Sequence, residues 1–192
     1  MSFVSIVATT GFVTVMSDGR VKDIVSGEII QEDFQKFIKA NDSKAFIAYV
    51  GNRESCEPIA LNLKNAIEEG ISFDIVQTIL ISAVKKLIPE HLTVMFALGG
   101  LNSDNEIEFY SFNSRENTNS HFKPANDVIS YTFLNNTSIA RKDFEGEFVR
   151  NLRETGFQSP TSTIQAQKLL NRYIASRDET VNNTTFRLSI KK

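Results

Sequence analysis

At 192 residues the chain is long enough to bury a sizeable core without disulfides or metals, and a single domain spanning 1–192 is expected. Its 21 lysines and arginines and 23 acids are scattered along the chain, giving a formal charge of −2 and no basic patch, which excludes nucleic acid and anionic membrane surfaces as main partners. The single cysteine, Cys56, has no disulfide partner, the two histidines have no metal-ligand spacing, and neither a signal peptide nor a membrane-spanning run is recognisable, so a cytoplasmic protein without metal or cofactor is expected.

The chain opens MSFVSIVATTGFVTVMSDGRVKD. Residues 3–8 and 12–17 are rich in Val, Ile, Phe and Thr and flank Thr9-Thr10-Gly11, which reads as a β-hairpin. A second strand pair is expected between Val21 and Ile30 around Ser26-Gly27, and a further strand over Ala45–Val50 before Gly51. The period then changes. Ile59, Leu61, Leu63 and Ile67 before Gly70, and Phe73 to Leu87 before Pro89, follow helical spacing. Strand character returns over Thr93–Leu98, is expected to break at Gly99-Gly100, and resumes over Ile107–Phe112. The polar stretch from Asn113 to Asn126 reads as a loop and Asp127–Leu134 as a strand. Helices over Ala140–Glu154 and Thr161–Arg177 and a strand over Thr185–Ile190 complete the chain. Helices arriving in pairs argue for antiparallel sheets with helices packed outside, an α+β, four-layer αββα sandwich.

That order, with its opening stretch, resembles the proteasome β-type family of N-terminal-nucleophile hydrolases. SFVSIVATTGFVTVMSDGRV is similar to the family's first hairpin, in which the nucleophile begins the first strand and an acid closes the second. The resemblance places Ser2 on the nucleophile, usually threonine, and Asp18 on its acidic partner. Gln35-Lys36-Phe37-Ile38 followed by KAFIAYVG resembles the lysine-bearing strand and the strand ending in glycine, and so implies Lys36 as the site lysine, with Lys39 and Lys44 as competitors. TVMFALGGLNSDNEIEFYSF is similar to the family's mid-chain hairpin. Asp178 resembles the supporting aspartate. Departures from the pattern are Phe3, where a small polar residue is usual, Asn135-Asn136-Thr137-Ser138 in place of a Gly-Ser-Gly turn, and Thr180-Val181-Asn182-Asn183 in place of a Ser-Gly-Gly segment. Ser138 or Thr180 stands as a substitute for the missing serines.

The hairpin adds a physical argument. Turning around Thr10-Gly11, facing residue numbers sum to 20 or 21, so Ser2 lies opposite Asp18 or Gly19. Removal of Met1 would free the Ser2 α-amine, whose pKa of about 7.7–8.0 suits it to act as a base near neutral pH. Gly51, where backbone can approach a substrate, is the candidate oxyanion donor. Asp18-Gly19 also reads as an ordinary turn dipeptide, and Gly51 as a plain strand end. Cys56 reads as a small buried hydrophobe, and neither His91 nor His121 has a nucleophile beside it. The resemblance implies an amide-bond hydrolase acting on peptides or on a small amide, a homo-oligomer, and an ATP-dependent unfoldase as partner. Because relatives of this fold include catalytically silent subunits, a non-catalytic assembly or binding protein is the alternative.

Overall fold

The computed structural model describes residues 2–23, 26–126 and 128–192. The first hairpin forms as β1 (Phe3–Ala8) and β2 (Phe12–Asp18), closed by the Thr9 N–H donating to the Phe12 carbonyl at 2.9 Å. Val4 pairs with Ser17 and Ala8 with Val13, so facing numbers sum to 21. The expected strand pair between Val21 and Ile30 is reduced to β3 (Val21–Lys22) and β4 (Ile29–Gln31), a two-stranded ladder of its own outside the two main sheets; Ile24 and Val25 lie outside the described residues. β5 (Phe37–Ala40) and β6 (Ala45–Val50) follow, then α1 (Arg53–Glu68) and α2 (Phe73–Leu87). The Asn52 side chain caps α1 by accepting the Ser55 N–H at 2.9 Å.

β7 (Met95–Leu101) runs straight through Gly99-Gly100, so the expected break is not there. The glycines answer a packing demand: a Cβ on Gly99 would stand 2.3 Å from the Glu108 carbonyl oxygen, and one on Gly100, at φ +145°, 2.1 Å from that of Lys44. The hairpin turns later, at 102–106, into β8 (Ile107–Asn113). The stretch read as a loop contains β9 (Thr118–Phe122), an edge strand paired to β8; its first four side chains are exposed and only Phe122 packs inward, on Phe109, so it shows no apolar alternation. β10 (Ser130–Asn135) is shorter than expected, and Asp127 lies outside the described residues. α3 (Arg141–Thr155), α4 (Pro160–Ala175) and β11 (Thr185–Lys191) agree with the sequence reading to within one or two residues at most ends. A Ser159–Ser162 capping box and Pro160 start α4.

The strands form two antiparallel sheets, in the orders β10-β1-β2-β11 and β5-β6-β7-β8-β9. Period-two alternation divides each inner strand between two cores. Val4, Ile6 and Ala8 meet Phe46, Ala48 and Val50 between the sheets, while Phe3 and Val7 face Phe144, Phe148 and Leu170 of α3 and α4. Ile47 and Tyr49 point the other way, onto Ile59, Leu63, Val76 and Leu80 of α1 and α2. Three cores separate four layers, the expected αββα sandwich. Leu61, Ile75, Ile79 and Leu87 share the helical spacing of the core residues but lie exposed on the outer helix layer.

Candidate active site

One end of the first hairpin brings the candidate site residues together. Continuing the register past the Val4–Ser17 pair brings Phe3 level with Asp18, and the Phe3 N–H donates to Asp18 Oδ1 at 2.9 Å. Asp18 is fully buried, so its carboxylate needs donors, and it has them. Besides Phe3, the Arg20 N–H reaches Oδ2 at 2.9 Å and Lys36 Nζ reaches the same oxygen at 3.0 Å. Lys36 Nζ also donates to the Asp18 backbone carbonyl at 3.0 Å. The turn-dipeptide reading of Asp18-Gly19 therefore falls: the aspartate is the end of a strand and half of a buried ion pair.

Lys36 precedes β5, held there by the Tyr49 N–H on its carbonyl at 3.0 Å. Its side chain is 3 % exposed, whereas Lys39 and Lys44 are exposed, so of the three lysines only Lys36 is brought to Asp18. Burial pulls the Lys36 ammonium below its ordinary pKa, against the opposing pull of Asp18. Ser2 is buried apart from a small fraction; its carbonyl accepts the Asn136 N–H at 3.2 Å. Ser2 and Lys36 line the same cleft, of about 960 Å³, whose walls include Phe34 before β5, Tyr49 of β6, Gly51 just after it and Thr180 from the loop before β11. The fate of Met1 lies outside the described residues.

Gly51 sits at φ +138°, and a Cβ there would lie 2.8 Å from Val94 Cγ1, so both its conformation and its close fit against the start of β7 call for glycine. Asp178 takes both substitutes at once. Oδ2 accepts the Ser138 N–H at 2.8 Å and hydroxyl at 2.9 Å, while Oδ1 accepts the Thr180 N–H at 2.9 Å and its hydroxyl. Burial pushes the Asp178 carboxyl up, but the donations from Thr180 and Ser138 outweigh it and hold the group below its ordinary range. Serine and threonine 42 positions apart thus converge on one carboxylate beside the cleft, an arrangement the sequence left open. Cys56 is buried on α1, its thiol pushed up to about 12 by burial, and His121 stacks on Tyr110 at the opposite edge of the second sheet; His91 lines the cleft without a nucleophile bonded to it.

The motifs missed Arg20, Glu32 and Asn182. The Arg20 guanidinium grips the Glu32 carboxylate through Nε at 3.1 Å and Nη2 at 3.0 Å, and Asn182 spans Gly19 and Glu32. No spacing announces the contacts of Asn182, whose partners lie 150 and 163 positions away. Among the described residues no helix is long and apolar enough to cross a membrane, and no group of three or more His, Cys, Asp or Glu is placed to hold a metal ion.

No protein-family model matches the chain, and no curated protein matches it in sequence. Its fold does have solved counterparts. The eukaryotic HslV from Trypanosoma brucei superposes with a TM-score of 0.65 at 12% identity, over 99% of this chain and 99% of that one. Anbu (ancestral beta-subunit) from Yersinia bercovieri superposes with a TM-score of 0.74, also at 12% identity, over 98% of this chain and 81% of that one. The chain has the proteasome β-type fold.

Proposed function

We propose that the chain, as one domain over 1–192, is a proteasome-like peptidase subunit that hydrolyses amide bonds through Ser2 once Met1 is removed. The observation that carries this reading is the buried Lys36–Asp18 pair opening onto the cleft that Ser2 lines, in a proteasome β-type fold. The Ser2 α-amine takes the hydroxyl proton as Oγ bonds to the amide carbon, and the carbonyl π electrons move to oxygen. The Gly51 N–H and the Lys36 ammonium stabilise the charge that develops on the two oxygens. Collapse of the intermediate breaks the C–N bond, and the leaving amine departs with the proton held by the α-ammonium. Water then attacks the ester with the same amine as base, which restores Ser2. Asp18 keeps Lys36 charged and aimed, and Asp178, with Ser138 and Thr180, supports the N-terminal end of the cleft.

The reading includes a cytoplasmic homo-oligomer acting on peptides and supplied by an ATP-dependent unfoldase. The exposed Ile75 and Ile79, one turn apart on α2, support self-association through the helix layer. Treatment of the trimmed protein with a peptide β-lactone, followed by intact-mass and fragment analysis, tests the chemistry. One acyl group on Ser2, absent in Ser2→Ala with an unchanged circular-dichroism spectrum, is the expected result. A trimmed, folded protein left unmodified at Ser2 would leave the non-catalytic assembly or binding role. Acylation of Ser2 without cleavage of any peptide would point to a small amide as substrate.

A further inference from the structure

Asn182 lies between α4 and β11, only 7 % exposed, and each polar group of its side chain is engaged. Oδ1 accepts the Gly19 N–H at 2.9 Å, and Nδ2 donates to the Glu32 backbone carbonyl at 2.8 Å and to the Glu32 carboxylate. The backbone carbonyl of Asn182 accepts Asn171 Nδ2 of α4 at 2.7 Å. Asn171 Nδ2 makes this bond while its own Oδ1, also buried, has no partner among the described residues, so the backbone of position 182 is tied to a buried polar position of α4.

The geometry explains why an amide stands there. Gly19 brings the Glu32 carbonyl so close that a Cβ would stand 2.7 Å from its oxygen, which presents an N–H and a C=O side by side. A side-chain amide carries an acceptor and a donor on one carbon and so meets both without a change of protonation. Glu32 in turn holds the Arg20 guanidinium, whose own backbone N–H is one of the donors on Asp18. The Gly19 carbonyl accepts the Phe34 N–H at 2.8 Å, two residues before Lys36. One side chain therefore closes a ring of bonds around Asp18-Gly19-Arg20 and fastens it to the segment that delivers Lys36.

We propose that Asn182 is the positioning residue of this site: its amide locks the Asp18-Gly19 corner against the Glu32–Lys36 segment and so fixes where Asp18 presents the Lys36 ammonium to the cleft. Asn182 acts through Asp18 and touches no substrate. The inference rests on the proposed function for its catalytic meaning, but the placement of Lys36 is measurable without any reaction.

The test compares Asn182→Ala, Asn182→Asp and the double variant Asn182→Asp/Glu32→Gln with the parent. The double variant exchanges carboxylate and amide at the same total charge, so position 182 keeps an acceptor for the Gly19 N–H and position 32 gains a side-chain donor that faces the new carboxylate in place of a like charge. Three quantities are read: thermal unfolding, the rate of Ser2 acylation by the peptide β-lactone, and the NMR titration of the Lys36 side chain. Asp18 is the charged group on Lys36, with Arg20 and Glu32 across the corner, and all are present in Asn182→Ala. Asn182→Ala is expected to slow acylation at least ~10-fold, since an ångström of misplacement costs up to ~10²-fold, and to move the Lys36 titration upward toward an ordinary lysine as water enters. Asn182→Asp/Glu32→Gln is expected to recover most of the rate lost in Asn182→Asp. A folded Asn182→Ala with parental acylation and a parental Lys36 titration would overturn the assignment. If Asn182→Ala does not fold, the two aspartate variants decide: no gain from Glu32→Gln overturns it as well. A parent protein that is never acylated would sink the proposed function alone, and the Lys36 titrations would still support the positioning role or refute it.

Discussion

Replacing Lys36 with methionine removes one partner of a fully desolvated ion pair while keeping the aliphatic volume. Asp18 is then left charged with only the Phe3 and Arg20 N–H groups as donors. Breaking a buried pair from one side costs roughly 3–5 kcal/mol, and the two surviving backbone donors set the expected loss at the lower end, ~3 kcal/mol. Asp18→Asn strands the ammonium instead, with the Asp18 backbone carbonyl as its remaining partner, for a loss of about the same size. The double variant Asp18→Asn/Lys36→Met removes both charges and the desolvation cost that went with them, so it is expected within ~2 kcal/mol of the parent. Urea unfolding of the four proteins at neutral pH then gives a coupling energy of at least about 4 kcal/mol. Losses that add to within ~0.5 kcal/mol would refute the reasoning, because they would mean that the two charges do not share one dry environment. All three variants are expected to lose Ser2 acylation, so in the double variant stability and reactivity separate.

Gly100→Ala is expected to cost about 3 kcal/mol or more, since the methyl would collide with the Lys44 carbonyl at an already left-handed backbone position; a variant within ~0.5 kcal/mol of the parent in denaturant unfolding would contradict this. Asp178→Asn is expected to lose roughly 1–3 kcal/mol at neutral pH with its charge-assisted bonds to Ser138 and Thr180. Because the Asp178 pKa is lowered in the folded state, its stabilisation is present above the unfolded value of about 3.9 and fades as the pH falls through the folded value; unfolding curves below about pH 4 should show that slope in the parent and not in Asp178→Asn. Cys56, with its thiol pushed up to about 12, is expected to resist a thiol reagent at pH 8 until denaturant is added, and stoichiometric labelling of the native protein within seconds would show the helix layer to be more open than its packing implies.

Local pattern was enough for most elements of the fold. The Val-, Ile- and Phe-rich runs Phe3–Ala8 and Ala45–Val50 and the helical spacing over Ile59–Ile67 are properties of a few consecutive residues, so the type of each element is readable before any partner is known. The same holds for the hairpin register, in which a turn and two strand lengths bring Asp18 level with the start of β1. β9 and Gly99-Gly100 were misread because their structure depends on a neighbour: one is held by pairing with β8 alone, and the others are glycines for the sake of carbonyls approaching from adjacent strands. Exposed Ile75 and Ile79 carry the same apolar signal as buried Val76 and Leu80, and only packing tells the two faces apart. At the site, the sequence and its resemblance supplied Ser2, Asp18, Lys36, Gly51 and Asp178 as candidates, but the choice of Lys36 over Lys39 and Lys44 required the side chain that is buried against Asp18. The joining of Ser138 and Thr180 on Asp178, and the clasp of Asn182 on Gly19 and Glu32, belong to the tertiary structure alone. Hydrogen bonds between residues 40 or 163 positions apart leave no period or spacing in the chain; they exist only where the folded layers bring a donor and an acceptor together away from water.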